Sequence, residues 1–309
     1  MWIKEPGRVT QNIDYLGEPE MCVYLLKGKE YMLIEGGMSY IVPKLLRQID
    51  ERGIDPRRIT QFLILHSHFD HCGAVPPLQR RFPWIRAVAS HRAKELYSKE
   101  KVVRFIRDRN LDMLKALGME SAAPELGLDF EEVKVDIAVG EGDILDLGDG
   151  VTVEIIEVPG HSSCSIAAFA RPDRALFPSD AGGIPNPRGA IYPSGNEDFI
   201  LYQRSLEKMR RLPVEIHCAA RFGAFTEEDG RSYMDRSIRA AEEYRERTLQ
   251  LVSRLGSADR AVAALFEDHL GTSGTADVPA DIMKALVARM VDVIVRDHEK
   301  RSAPSPATG

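Results

Sequence analysis

The stretch His66-Ser67-His68-Phe69-Asp70-His71 places four potential metal ligands within six positions, directly after a short apolar run. The apolar run is typical of a buried strand, and alternate side chains of extended backbone point the same way. His66 and His68 can therefore bind one ion together, while Asp70 and His71 follow where the strand must end. A turn at that point would direct the last two toward a second ion. We predict a metal centre at the carboxyl end of this strand.

The clustering of these side chains argues against a chance arrangement. A lone histidine at a strand end is usually an ordinary polar residue, but three of the eight histidines of the chain lie in this one stretch. Imidazole suits zinc, iron, copper or nickel, and an added carboxylate is typical of a site that holds water for chemistry. No pair of cysteines frames the stretch, so the pattern does not indicate a zinc finger.

The composition describes a globular chain without a strong charge bias. The 309 residues are 44% apolar, and 41 basic against 47 acidic residues give a net charge of −6. This balance gives no support for a nucleic-acid or membrane-surface partner. No apolar run approaches the roughly 20 residues of a membrane span, and the N-terminus does not resemble a secretory signal. The four cysteines are scattered without metal or redox spacing, which predicts buried thiols and a cytoplasmic location.

Hydrophobic periodicity divides the chain into a mixed region and a helical region. Residues 1–228 predict short strands interleaved with helices, including a hairpin over residues 22–34. Residues 91–118 read as a helical insertion between strands. The segment 229–301 predicts an all-helical C-terminal cap, and the Pro- and Ser-containing tail 302–309 is typical of disorder.

Two further ligand candidates follow predicted strands later in the chain. The run 151–158 leads into Pro159-Gly160-His161, where a tight turn can direct the imidazole toward the first cluster. The run 175–177 leads into Asp180, and the glycines after it allow a close backbone approach. Each residue alone would be read as part of a turn, so their value as candidates depends on the cluster at residues 66–71.

Taken in order, these motifs resemble the metallo-β-lactamase superfamily of hydrolases. The resemblance covers about residues 10–230 and implies an α+β fold, an αββα sandwich of two mixed sheets with metals along one edge. Within the superfamily, the pattern is most similar to a thioesterase-like branch. The features that carry this finer resemblance are Leu33-Ile34-Glu35-Gly36-Gly37, the continuation Asp70-His71-Cys72-Gly73, the helical insertion and the C-terminal cap.

The resemblance assigns roles to six residues. It implies that His66, His68 and His161 bind one ion, that Asp70 and His71 bind a second, and that Asp180 bridges the two. Ligating histidines usually donate their other N–H to an oxygen. The candidates for such supporting groups are Glu35, Ser162 and Ser179.

The last ligand of the superfamily pattern is altered in this chain. A histidine in a Gly-His-Gly turn is expected after the final core strand, and Arg221 occupies that position. A guanidinium cannot ligate a metal because it stays protonated. His217 is a rival ligand, but it lies four residues earlier, about 13 Å away along an extended strand. The second ion would then depend on Asp70, His71 and Asp180.

The resemblance implies a metal-dependent hydrolase with one or two divalent ions of zinc, iron or manganese. A metal-activated water would attack the substrate, and Asp70 would act in catalysis by orienting that nucleophile. We expect a small-molecule thioester or other ester as substrate. Open alternatives are a phosphodiesterase, a lactonase, or a metal-binding regulatory protein with little turnover, which only the altered last ligand favours. The oligomeric state is open between monomer and homodimer.

Residues of the predicted cap have two interpretations. Five arginines could form a basic mouth for the phosphates of an acyl-CoA, or they could lie on a solvated helix face with the interspersed acids. Large apolar side chains could line an acyl pocket or pack in a core. The residues concerned are Arg231, Arg236, Arg239, Arg245 and Arg247, and Tyr233, Met234 and Phe266.

Overall fold

Strands dominate the first part of the structure. A computed structural model describes residues 1–273 and 280–302, and in these residues the strands form two seven-stranded mixed sheets and a two-stranded ribbon. The first sheet contains, in spatial order, β2 (Gly7–Arg8), β3 (Ile13–Glu18), β4 (Met21–Lys27), β5 (Tyr31–Ile34), β6 (Ile59–Ile64), β7 (Arg86–Ser90) and β8 (Ile137–Val139). The second contains β1 (Trp2–Ile3), β16 (Ala224–Phe225), β15 (Ile216–Cys218), β12 (Ala175–Phe177), β11 (Ile166–Arg171), β10 (Thr152–Glu157) and β9 (Ile144–Asp146). The ribbon pairs β13 (Ile184–Pro185) with β14 (Ile191–Tyr192).

The alternation of side chains along β4 shows how the layers pack. Val23 and Leu25 belong to a core that includes apolar side chains of helices, whereas Tyr24 and Leu26 belong to a core built from both sheets. The ring of Tyr24 meets that of Phe177 edge to face, with centroids 5.4 Å apart. Because successive residues of a strand face opposite sides, one strand serves both layers. The helices on the outer side of the first sheet are α1 (Val42–Glu51), α2 (Val75–Arg81), α3 (His91–Tyr97) and α4 (Glu100–Ala116).

The sandwich of two mixed sheets and the helical C-terminal region confirm the predicted fold class. The predicted hairpin over residues 22–34 is present as β4 and β5, which pair antiparallel. The predicted insertion over residues 91–118 consists of two helices, α3 and α4, which are separated at Ser98 and Lys99.

Contacts divide the chain into two compact units. The first comprises Met1–Glu157, Cys164–Ser179 and Pro213–Tyr233, and it contains both sheets. The second comprises Val158–Ser163, Asp180–Leu212 and the chain from Met234 onward. The predicted boundary at residues 228 and 229 stays a prediction, since the second unit also includes two segments from earlier in the chain.

The second unit is built on helices and has its own core. Its helices include α5 (Phe199–Arg210), most of α7 (Tyr233–Leu255), α8 (Ala258–Ser273) and α9 (Ala280–Ser302), while α6 (Glu227–Arg231) belongs to the first unit. Hydrogen bonds join the early segments to the C-terminal helices. Ser237 Oγ donates to the Gly182 carbonyl at 2.6 Å, and Arg289 Nε donates to the Asn196 carbonyl at 3.0 Å. The apolar centre of α7 to α9 is formed by Leu251, Ala261, Val262, Leu265, Val287 and Val291.

Three further predictions concern the chain as a whole. The four cysteines are buried thiols that form no disulfide in the described residues. Among the helices the structure describes, none combines the length and apolar character that crossing a bilayer requires. Of the tail predicted to be disordered, Ser302 is the last residue of α9, and residues 303–309 lie outside the described part.

Candidate metal centre

The histidine motif lies at the carboxyl end of a central parallel strand. β6 ends at Ile64, and a short 3₁₀ helix, Phe69–His71, then turns the chain. The preceding parallel neighbour, β5, ends at the same edge of the sheet and is followed by Glu35. The carboxyl ends of parallel strands are where open α/β sheets usually bind ligands. The topology therefore brings Glu35 next to the motif, although 30 residues of sequence separate it from His66.

Glu35 holds the ring of His71. The Nδ1 atom of His71 lies 2.5 Å from Glu35 Oε2, and both side chains are only 3% exposed. An Nδ1–H that donates to this carboxylate would leave Nε2 to bind an ion, the usual arrangement of a ligating histidine. The backbone at Glu35 has a φ of 73°, in the left-handed region, and its N–H donates to the Leu63 carbonyl at 3.1 Å. Such strained backbone is concentrated at functional sites.

Glycines explain how this loop lies directly on the motif. A Cβ on Gly36 would lie 2.4 Å from the His71 carbonyl oxygen, so only glycine fits there. The amide of Gly73 donates to the Gly37 carbonyl at 2.7 Å, which fixes the other end of the contact. The stretch from Leu33 to Gly37, noted in the sequence for its resemblance, thus supports the motif physically.

Ser179 is a second supporting group for the motif. It follows β12, and its Oγ lies 3.1 Å from His66 Nδ1 and 3.4 Å from His71 Nδ1. The φ of Ser179 is 52°, again in the left-handed region. Two of the three predicted supporting groups, Glu35 and Ser179, therefore contact the histidine rings.

His161 and Asp180 are positioned by contacts within the second unit. His161 is buried, and its Nδ1–H donates to the Ser194 carbonyl at 2.7 Å. Its Nε2 lies 3.7 Å from Asp180 Oδ2. The turn before it requires glycine, since Gly160 has a φ of 128° and a Cβ there would lie 2.2 Å from the Tyr202 amide nitrogen. The role of Ser194 was missed from sequence, where its turn carries no feature that links it to His161.

Two groups of potential ligand atoms occur among the described residues. The ligand atoms of His66, His68 and His161 all lie within 4.8 Å of one another, and so do those of His66, His71 and Asp180. Five of the six predicted ligands thus belong to a histidine and aspartate cluster consistent with metal binding.

The sixth predicted ligand, Asp70, is bound by an arginine. Its Oδ2 forms an ion pair with Arg221 Nη2 and lies 3.4 Å from His71 Nε2. Arg221 also donates from Nη1 to the Glu20 carbonyl at 2.6 Å. Burial raises the pKa of Asp70, but the charges and hydrogen bonds of His71, Arg221 and His68 outweigh it, so the pKa lies well below its usual range. The carboxylate therefore remains ionised at neutral pH.

His217 lies in the second sheet, in a different environment. It sits in β15, where it pairs with Leu176 and Phe225, and it is fully buried. Its ring stacks on Tyr233 with centroids 3.5 Å apart. Neither ligand group of the described residues includes His217.

A buried asparagine of the helical insertion contacts the motif and was also missed from sequence. Asn110 Oδ1 accepts from the Ser39 amide at 2.9 Å, and Nδ2 donates to the carbonyls of Phe69 at 3.4 Å and Ile106 at 3.0 Å. Phe69 begins the 3₁₀ helix of the motif. The available signal was a single amide among the apolar positions of a predicted helix.

The arginines and apolar residues of the C-terminal region have ordinary partners. Arg231 pairs with Glu215 and Glu228 at the surface, and Arg247 pairs with Asp268. Arg236 donates to the Gly189 carbonyl. The contacts of Arg231 and Arg247 are those expected of a solvated helix face. Tyr233 and Met234 are buried, and Phe266 packs against the core of the C-terminal helices, as expected for packing residues.

Comparisons with known proteins agree with this architecture. The chain is 26% identical over 172 residues to the hydroxyacylglutathione hydrolase of Rhodopseudomonas palustris (strain BisB5). The matched region covers 54% of this chain and 50% of that protein. It is 26% identical over 200 residues to the enzyme of the same name from Prochlorococcus marinus (strain MIT 9301), covering 63% and 61%. The chain thus spans about half the length of the first of these relatives.

Solved structures of similar fold include two proteins that match along most of this chain. A metallo-beta-lactamase family protein from Thermus thermophilus matches with a TM-score of 0.65 at 16% identity, covering 95% of each chain. An archaeal metallo-beta-lactamase superfamily protein from Sulfolobus tokodaii matches with a TM-score of 0.55 at 15% identity, covering 94% of this chain and 99% of that one. The sequence profile of the Metallo-beta-lactamase superfamily matches residues 17–221. The chain belongs to the metallo-β-lactamase superfamily.

Proposed function

We propose that this protein is a metal-dependent hydrolase that acts on a small-molecule thioester or another ester. The observation that carries the proposal is the approach of the ligand atoms of His66, His68 and His161 to within 4.8 Å of one another. Three imidazoles around one position are a typical catalytic zinc set, which leaves a further coordination position open. Iron and manganese remain alternatives, because availability decides metal identity as much as affinity does.

The surroundings of the donors fit a bound cation. His66 contacts Ser179 through Nδ1, and His161 donates to a backbone carbonyl through Nδ1. For His161, Nε2 is then the nitrogen that could bind an ion, because the carbonyl that accepts from Nδ1–H fixes the tautomer. The Ser179 hydroxyl can donate or accept, so it can serve either tautomer of His66. A divalent ion held there would lower the pKa of a water molecule and polarise a substrate carbonyl.

Asp70 has the properties needed to orient the attacking water. Its pKa is held well below the usual range, so the group accepts hydrogen bonds as a carboxylate at neutral pH. Its side chain is 15% exposed, which leaves access from the site. Arg221 balances its charge and limits the directions in which it can turn.

The thioester preference rests on relatives and on the finer resemblance. The relatives from Rhodopseudomonas palustris and Prochlorococcus marinus are named hydroxyacylglutathione hydrolase, a class of thioesterase. The stretch from Leu33 to Gly37 and the helical insertion are similar to the branch that includes 2-aminobenzoylacetyl-CoA thioesterase. Phosphodiesters and lactones are substrates that the same donors could serve, so they belong in the assay. A small-molecule substrate, without a nucleic-acid or membrane partner, is part of the proposal.

The test is hydrolysis by wild-type protein and a ligand variant. We expect wild-type protein to hydrolyse acyl-glutathione or acyl-CoA thioesters faster than a phosphodiester or a lactone, and His68→Ala to lose at least about 100-fold in kcat/KM, in line with one interaction of about 3 kcal/mol or more. His91→Ala is the matched control, because His91 is exposed at the start of α3 and belongs to neither ligand group. Hydrolysis by His68→Ala at the wild-type rate would refute the proposed metal mechanism. Metal binding without any turnover would favour the regulatory alternative.

A further inference from the structure

We propose that Arg221 takes the place of the second metal ion, so that the centre binds one tightly held ion per chain. The inference rests on the proposed metal centre and specifies its stoichiometry. The superfamily pattern implies that Asp70 and His71 share an ion. In this structure the guanidinium of Arg221 already binds Asp70, and a guanidinium cannot itself ligate a metal.

The arginine binds the oxygen that a second ion would need. Oδ2 of Asp70 is the oxygen 3.4 Å from His71 Nε2, and the same Oδ2 accepts from Arg221 Nη2. An ion shared by these two ligands would lie about 2 Å from each and would therefore approach the guanidinium closely. Two cations at such a distance repel strongly in a poorly solvated site, and the side chains of Asp70 and Arg221 are only 15% and 19% exposed.

The arginine is held in this position from both sides. Its Nη1 donates to the Glu20 carbonyl at 2.6 Å. The backbone after it adopts left-handed conformations, with φ of 57° at Phe222 and 94° at Gly223. The Trp2 indole N–H donates to the Phe222 carbonyl at 2.6 Å, and a Cβ on Gly223 would lie 1.9 Å from the Ile3 carbonyl oxygen. A swing of Arg221 away from Asp70 would have to break the contact with Glu20 against this fixed turn.

The remaining donors are sufficient for one ion. His66 is common to both ligand groups, and its Nδ1 contacts Ser179. A neutral imidazole offers one lone pair to a metal, so His66 can complete only one of the two groups. The group of His66, His68 and His161 includes neither Asp70 nor Arg221. The chemistry of the donors therefore fits one transition-metal ion and does not fit a second.

The test is the number of ions bound per chain. Full-length protein purified without chelator is dialysed against zinc and then against buffer, and metal is measured by mass spectrometry. We expect one ion per chain for wild type, one for Arg221→Lys, which keeps the positive charge, and two for Arg221→His. Arg52→His is the matched control, because it adds a histidine at an exposed position outside the site and should stay at one.

The outcomes distinguish the role of Arg221 from the proposed hydrolase activity. Two tightly bound ions in wild type, or a single ion in folded Arg221→His, would overturn the role of Arg221. The wild-type and Arg221→Lys stoichiometries keep the inference testable even if Arg221→His does not fold. One ion per chain without hydrolysis of any substrate would refute the proposed activity and leave the stoichiometry standing. Fewer than one ion would refute both.

Discussion

The substitution Gly160→Ala perturbs a predicted metal ligand, His161, without changing that residue. A Cβ at this position would lie 2.2 Å from the amide nitrogen of Tyr202 and 2.4 Å from its Cα, and both are backbone atoms that cannot rotate away. Ordinary contact begins at 3.4 Å, so the turn must move by roughly 1 Å, whereas ligand distances tolerate about 0.2 Å. The next residue is His161, whose ring would move with the turn. We expect a loss of about 10- to 100-fold in zinc affinity, comparable to the loss of a supporting contact.

The same substitution should also lower the free energy of unfolding. Forcing a non-glycine residue to a φ of 128° costs about 1–3 kcal/mol, and the steric overlap adds about 1–3 kcal/mol. Gly142→Ala is the matched control, since Gly142 has a φ of 80° and nothing lies within 4 Å of its added Cβ. Zinc affinity is measured by competition with a chromogenic chelator, and stability by urea denaturation of the metal-free proteins. If Gly160→Ala bound zinc within threefold of Gly142→Ala, the reasoning about His161 would be refuted.

Two further predictions concern the support of the fold around the site. Asn110→Leu leaves the Ser39 amide and the Phe69 carbonyl without their buried partner, so urea denaturation should show a loss of about 1–3 kcal/mol, against little change for the exposed Lys101→Leu on the same helix. An unchanged midpoint would contradict the support assigned to Asn110. Burial raises the pKa of the Cys22 thiol from 9.0 to about 12, while its hydrogen bonds lower it. The unfolded chain therefore loses this proton first, and stability should fall as pH rises above 9, by about 1.4 kcal/mol at pH 10. In Cys22→Ala the free energy of unfolding should fall less steeply between pH 8 and 10 than in wild type. An equal slope in the two proteins would exclude Cys22 as the source of the pH dependence.

The sequence predicted the parts of the site that depend on local pattern. The apolar run before residues 66–71 predicts a strand that ends at the candidate ligands, and a strand ends there, because the spacing of side chains along a strand is a local property. His161 and Asp180 were proposed as ligands because each follows a predicted strand and lies near glycine, which precedes His161 and follows Asp180. Glu35 was named as a supporting group, but its partner His71 could not be chosen, since strand order decides which ends are neighbours.

The parts that were missed depend on contacts between distant residues. Ser194 contacts His161 across 33 positions, and Asn110 contacts Phe69 across 41, so no periodicity or motif connects them. Arg221 was recognised as an altered ligand, but its ion pair with Asp70 spans 151 positions. Local patterns indicated the candidate ligands, and the tertiary structure determines which of these residues contact one another.

The most direct measurement of the proposed metal centre is the return of activity as metal is added to chelated protein. Zinc is titrated into metal-free wild-type enzyme, and hydrolysis of an acyl-glutathione thioester is followed at each step. A single-ion centre held by His66, His68 and His161 predicts a linear rise that saturates at one ion per chain. Activity that is already full without metal would contradict the hydrolase mechanism, and saturation at two ions would contradict the role assigned to Arg221.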